Sequence, residues 1–182
     1  MENRKTRNEE LDRLSAEKFK VSEKIPIVII LDNVRSLHNV GSVFRTADAF
    51  RLEAIHICGH TGTPPNKEIS KTALGATETV EWKYFSTALE SVAMLRDMNY
   101  KICGVEQTKN SLMLNNINFS YNEKVALIFG NEVYGVDESL IAASDLCIEI
   151  PQIGFKHSLN ISVSVGIVAW ELSKKFLDKL AN

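Results

Sequence analysis

The sequence predicts an α/β fold: a mostly parallel sheet with helices on both of its faces. Three observations predict it. Short β-branched runs alternate with amphipathic stretches of about ten residues, the order of βαβ units. The first run, Ile27-Val28-Ile29-Ile30-Leu31, contains no polar residue, as a strand buried on both faces requires. Polar, mostly glycine-containing inserts follow individual strands, where an open parallel sheet places its ligands.

Taken in order, residues 1–24 form a charged arm, helical or loosely ordered, with seven basic and six acidic side chains. Leu11 and Leu14 offer it one i, i+3 contact. The domain proper runs from 25 to 182. After the strand at 27–31 come a helical stretch at 40–50 and a strand at 54–58. The segment GHTGTPPNK (59–67) is a loop, and a short helix at 68–74 ends at Gly75. A strand at 79–84 and a helix at 87–98 follow, then strands at 100–105, 124–129 and 146–150. Past that point the pattern conflicts with itself. Leu159, Ile161, Val163 and Val165 alternate as in a strand, whereas Ile167, Val168, Trp170, Leu172, Phe176, Leu177 and Leu180 keep helical spacing. A helix from about 159 suits the α/β order, and Ser162, Ser164, Gly166 and Ala169 would let it pack closely.

Composition narrows the class. With 182 residues, 45% hydrophobic and 24% charged, the chain fits one domain with a full core. It has no run of about 18 apolar residues, and its first residues lack a signal-peptide core, so a cytoplasmic protein without a membrane span is expected. Cys58, Cys103 and Cys147 read as reduced core filler. His56-x-Cys58-x-His60 reads as strand alternation, and no metal is expected. A net charge of −2 argues against a general nucleic-acid coat protein but leaves room for a local basic patch. Arg35, His38, Arg45, Arg51, Lys67, Lys71, Lys156 and His157 lie in or near the inserts.

Three inserts, at 32–39, 130–135 and 152–160, should converge on one sheet edge. In the first, Asn39 can cap the helix bearing Arg45, and Gly41, one turn before Arg45, would leave room for a ligand; a cap, a packing glycine and a surface arginine explain the same residues. In the second, Gly130-Asn131-Glu132-Val133-Tyr134-Gly135 offers backbone N–H groups at a helix start, and an ordinary turn explains it equally. It is neither a G-x-G-x-x-G fingerprint nor a P-loop. In the third, Ser158, Asn160, Ser162 and Ser164 interrupt an apolar run and must find partners, since an unpaired buried polar group costs roughly 1–3 kcal/mol. No G-x-S-x-G elbow supports a hydrolase.

Together, Asn39-x-Gly41-x-x-x-Arg45, Gly130-Asn131-Glu132-x-x-Gly135 and Ile150-Pro151 with Ser158-Leu159-Asn160-x-Ser162 resemble the three motifs of the SpoU (TrmH) family of RNA ribose 2′-O-methyltransferases, in the SPOUT superfamily. The resemblance spans about residues 25–175. It implies an α/β-knot fold whose C-terminal segment forms a deep trefoil knot, S-adenosylmethionine as methyl donor, and a homodimer. Carried over by position, it implies cofactor contacts at Gly130, Asn131, Ile150, Ser158 and Leu159. It places Arg45, Asn39, Ser158, Asn160 and Glu132 at the methyl-transfer centre. The basic residues beside the inserts, Arg35, His38, Lys67 and Lys156, are the candidates for RNA contact. Arg51 stands where many relatives carry glycine, so a different helix exit is expected there. The arm is too short for the extra RNA-binding domain of some relatives, and tRNA is favoured over rRNA as substrate. A non-catalytic RNA-binding module on the same fold is the alternative.

Overall fold

The computed structural model describes residues 3–11, 13–120 and 122–180, without the side chains of Asn8 and residues 178–180. The side chain of Leu180, counted in the helical spacing above, therefore lies outside the described residues. Seven strands form one sheet in the order β3-β2-β1-β6-β4-β7-β5. They are β1 (Ile25–Asp32), β2 (Leu52–Cys58), β3 (Glu81–Phe85), β4 (Lys101–Val105), β5 (Leu112–Met113), β6 (Val125–Phe129) and β7 (Leu146–Glu149). Every pairing is parallel. The two-residue β5 is additional to the six strands expected from sequence. Its side chains are exposed at the sheet edge, so no hydrophobic run marks it.

The helices are α1 (Ala16–Val21), α2 (Leu37–Ala49), α3 (Lys67–Ala73), α4 (Ala88–Asp97), α5 (Glu138–Ala143) and α6 (Ile161–Leu180). Side chains on β1 alternate between two cores: Ile27, Ile29 and Leu31 join α2, α3 and α6, whereas Val28 and Ile30 join α4 and α5. Both faces of the central strands are thereby removed from water, which explains their unbroken apolar runs. β3 starts two residues later than expected, because Thr79 follows a 3₁₀ turn and donates its hydroxyl to Asp48 at 2.6 Å.

The ambiguous C-terminal run is a helix, so its strand-like alternation has another cause. Ile161, Val165, Val168 and Ala169 are buried in the core, while Val163, Ile167 and Trp170 are exposed. These outward residues follow i, i+4, i+7 spacing, a second apolar stripe on the opposite side of α6. At the end of α2, Arg51 adopts φ 51°, the left-handed conformation usual for a C-terminal glycine. The helix exit is therefore the one glycine would make, and the expected departure does not occur.

Gly41 also reads differently in three dimensions. A Cβ there would lie 2.1 Å from Thr72 Oγ1 and 2.3 Å from the Ile69 carbonyl oxygen. The missing side chain seats α3 against α2; it does not open space for a ligand. On the opposite face, buried His56 places Nδ1 2.7 Å from the Ser91 hydroxyl and packs against the Phe85 ring at a tilt of 40°. Burial, reinforced by nearby Lys83, pushes its pKa down to about 4. Among the described residues, no helix is long and apolar enough to cross a membrane, and no group of three or more His, Cys, Asp or Glu is placed to hold a metal ion.

Candidate active site

The loops after β1, β6 and β7 meet at the carboxyl edge of the sheet, and side-chain hydrogen bonds tie them together. Glu132, in the loop after β6, is the hub. Its carboxylate accepts from the backbone N–H of Arg35 at 2.9 Å, that of Ser36 at 3.0 Å, and Asn39 Nδ2 at 3.0 Å. Asn39 Oδ1 accepts in turn from Asn160 Nδ2 at 3.2 Å. Burial tends to raise the Glu132 carboxyl, but the amides of Arg35, Ser36, Glu132 itself and Asn39 outweigh it and hold the group below its ordinary range. Glu132 is thus an ionised clamp between loops.

Two local assignments change. Ser36, not Asn39, caps α2, its hydroxyl accepting from the Asn39 N–H at 3.3 Å. Asn39 sits in the first turn, which leaves its amide free to bridge Glu132 and Asn160. The capping role falls instead to Asn160, whose Oδ1 accepts from the Ser162 N–H at 2.9 Å and hydroxyl at 2.7 Å at the start of α6.

The segment 130–135 is a closed turn and does not start a helix; α5 begins later, capped by Asp137. Asn131 and Gly135 exchange backbone hydrogen bonds at 2.9 and 2.8 Å. Asn131 Oδ1 accepts from the N–H groups of Val133 and Tyr134, and its Nδ2 donates to the Asn33 carbonyl at 2.8 Å. Few of the N–H groups expected to be free remain so. A Cβ on Gly130 would fall 2.0 Å from the Gly135 carbonyl oxygen, so the closure of this turn excludes any side chain there.

Between the loops lies a cleft of about 1090 Å³. Gly130, Asn131, Ile150, Ser158 and Leu159, the five expected cofactor contacts, all line it, as do Glu132 and Asn160. Its walls combine apolar Val105, Ile148, Ile150 and Leu159 with four glutamates, and among the described residues no lysine or arginine lines it. Such a lining disfavours polyphosphate ligands and suits a cation with a flat apolar part.

Arg45 is not in that cleft. It is exposed, six residues beyond Asn39 on α2 (about 9 Å along the helix), and it lines a separate depression with Ser42, Thr46, Phe50, Lys71 and Gly166. Among the described residues its guanidinium has no hydrogen-bond partner. Of the expected RNA contacts, His38 pairs with Glu68 at 3.1 Å, and Glu68 with Lys71 at 2.7 Å. Lys67 opens α3 next to this cluster. Arg35 lies on the first loop, with Lys156 apart from both on the loop after β7.

Sequence reasoning missed a fourth loop, the one following β4. Glu106 accepts from the N–H groups of Val136 at 3.0 Å and Gln107 at 2.9 Å, while Gln107 Nε2 donates to the His157 carbonyl at 2.8 Å. The signal was present: Glu106-Gln107-Thr108 is a polar insert directly after a strand, like the other three. Asn33, with φ 53°, was also missed; its Oδ1 accepts from the His60 N–H at 3.0 Å.

Fold and cleft together define a doubly covered parallel α/β protein with a ligand site at its strand ends. A family model, the SpoU rRNA Methylase family, matches residues 26–170. The chain belongs to this family, the SpoU (TrmH) RNA ribose 2′-O-methyltransferases of the SPOUT superfamily. It is 27% identical over 164 residues to a tRNA (guanosine(18)-2′-O)-methyltransferase of Borreliella burgdorferi, covering 86% of this chain and 72% of the relative. The A. aeolicus TrmH/SpoU tRNA modifying enzyme superposes with a TM-score of 0.78 at 24% identity, over 90% of this chain and 81% of that one. An AdoMet-bound rRNA methyltransferase of Sinorhizobium meliloti gives 0.77 at 24% identity, over 85% and 58% respectively.

Proposed function

We propose that the chain transfers a methyl group from S-adenosylmethionine to a ribose 2′-hydroxyl of structured RNA, with tRNA the substrate. The observation that carries this reading is the acidic, partly apolar cleft tied by hydrogen bonds to Asn39 and Asn160. Four carboxylates and no fixed cation fit a ligand bearing a positive sulfonium and an adenine ring, and the Sinorhizobium meliloti relative holds AdoMet. Gly130, Ile150 and Leu159 would hold that cofactor, with Asn131 bracing the turn around it.

The bound cofactor supplies a methyl on an electron-poor sulfur, so the oxygen nucleophile needs positioning and loss of its proton. Asn39, fixed by Glu132 and Asn160, orients the ribose. Ser158 and Asn160 hold the cofactor loop and the 2′-oxygen. Arg45 serves as a cationic hydrogen-bond donor and not as the base. From its own depression outside the cleft it clamps a neighbouring RNA phosphate, and the hydroxyl proton passes to a phosphate or to water. Arg35, His38, Lys67 and Lys156 give the RNA backbone its remaining cationic contacts.

The reading includes a homodimer. The outward stripe Val163, Ile167 and Trp170 of α6 suits a self-complementary interface, and the Arg45 depression reaches α6 at Gly166 beside it. It also includes the C-terminal knot. The loop after β7 is pinned by Gln107, Ser111 donates its hydroxyl to Glu149 at the end of β7 at 2.6 Å, and α6 then crosses back to pack on α2. Sedimentation at the mass of one chain would remove the dimer, and an unthreaded backbone trace in a crystal structure would remove the knot.

The deciding assay incubates the full chain with tritiated S-adenosylmethionine and total RNA, then digests the RNA to nucleosides. The expected label is in 2′-O-methyl nucleosides from the tRNA fraction. Arg45→Ala should abolish transfer while cofactor affinity and sedimentation stay at parental values. Absence of 2′-O-methyl product from the parent would defeat the reading, and RNA binding without cofactor binding would indicate a non-catalytic RNA-binding module.

A further inference from the structure

Two of the loops that border the cleft carry nearly fully exposed aromatic rings. Tyr134 stands on the turn after β6, 87% exposed. Phe155 stands on the loop after β7, 90% exposed, with cleft-lining Gln152 and His157 on either side of it in the chain. Leaving such rings in water forgoes the gain of burying them. Neither ring belongs to the apolar stripe of α6. The Lys156 ammonium lies 5.8 Å from the Phe155 ring centroid, so an aromatic face and a cation share one loop tip.

Alternating aromatic and cationic groups match unpaired RNA, whose bases stack on rings while its phosphates seek cations. A duplex offers no such face, because its bases are already stacked. The carboxylates lining the cleft repel phosphate, so the backbone must run along the rim where Lys156 stands.

We propose that Phe155 and Tyr134 form a stacking platform for an unpaired base beside the target ribose, with Lys156 on the neighbouring phosphate. This inference rests on the RNA-methyltransferase reading and assigns the residues that would position the substrate at that site.

The test measures binding of a fluorescein-labelled single-stranded decauridylate and of a ten-base-pair RNA duplex to the full chain, with S-adenosylmethionine present. Phe155→Ala should weaken decauridylate binding by about 5- to 150-fold, and Tyr134→Ala similarly, with duplex binding and sedimentation unchanged. Phe155→Trp, which keeps a stacking face, should restore affinity. Unchanged decauridylate affinity in Phe155→Ala overturns the proposal. So does a change in sedimentation, which would make the ring part of the contact between copies. If the parent instead makes no 2′-O-methyl product from total RNA, the underlying reading fails, whatever Phe155 does.

Discussion

Replacing Glu132 by glutamine removes a charge and one acceptor while preserving shape. In the parent, Oε1 serves Ser36 N–H and Asn39 Nδ2, and Oε2 serves Arg35 N–H. Glutamine has a single carbonyl oxygen, so in either orientation its amide faces at least one N–H donor. A hydrogen bond to a charged group is worth about 1.5–3 kcal/mol, and partial exposure of the carboxylate reduces the expected loss to about 1–2 kcal/mol. For a domain of this size that is a fall in Tm of about 2–8 °C at pH 7. Because the folded-state carboxyl sits below its ordinary value of 4.5, its contribution is present above that value and disappears as pH falls through the lowered one. The gap between parent and Glu132→Gln should therefore close in acid. Loosening Asn39 should also slow methyl transfer by about 10- to 100-fold. Calorimetry at several pH values and single-turnover assays would measure both effects. Parental melting at pH 7 would show that the clamp carries no energy. A lower Tm with a parental rate would show that Asn39 is not positioned through Glu132.

Two further predictions concern the frame around the site. Gly41→Ala should destabilise the protein by about 1–3 kcal/mol despite alanine's better helix propensity, because the new methyl meets the Ile69 carbonyl as well as Thr72; parental melting would show that α3 can shift freely. His56→Gln should flatten the dependence of stability on pH. The unfolded histidine gains its proton near 6.5 and the folded one only near 4, so the parent loses up to about 3 kcal/mol across that interval. Urea titrations at about pH 7 and pH 4.5 measure the difference, and equal slopes for parent and variant would assign the acid sensitivity to other groups.

How much was legible in the sequence depends on which residues carried a pattern. The strands at 27–31 and 124–129 were plain, because burial on both faces leaves a continuous apolar run. β5 was not, since two exposed residues make no run. The three motif loops were readable because polar side chains such as Asn160 interrupt apolar neighbours. Their internal division of labour was not. Ser36 and Asn39 are both good caps by composition, and only the approach of Glu132 from 93 residues away decides which of them bridges. Gly41 could be read as an opening or as a contact, and the position of α3 made it a contact. Arg51 shows the converse: the backbone keeps a glycine-like conformation although its side chain suggested otherwise.

The bridge from Glu132 through Asn39 to Asn160 joins positions 93 and 121 residues apart. Contacts of such long range form late, because the entropy of closing the intervening chain must be met before they repay it. A growing chain that has not yet released residue 160 from the ribosome can hold its central strands and still possess no site. The bridged site therefore exists only in a chain folded through residue 160.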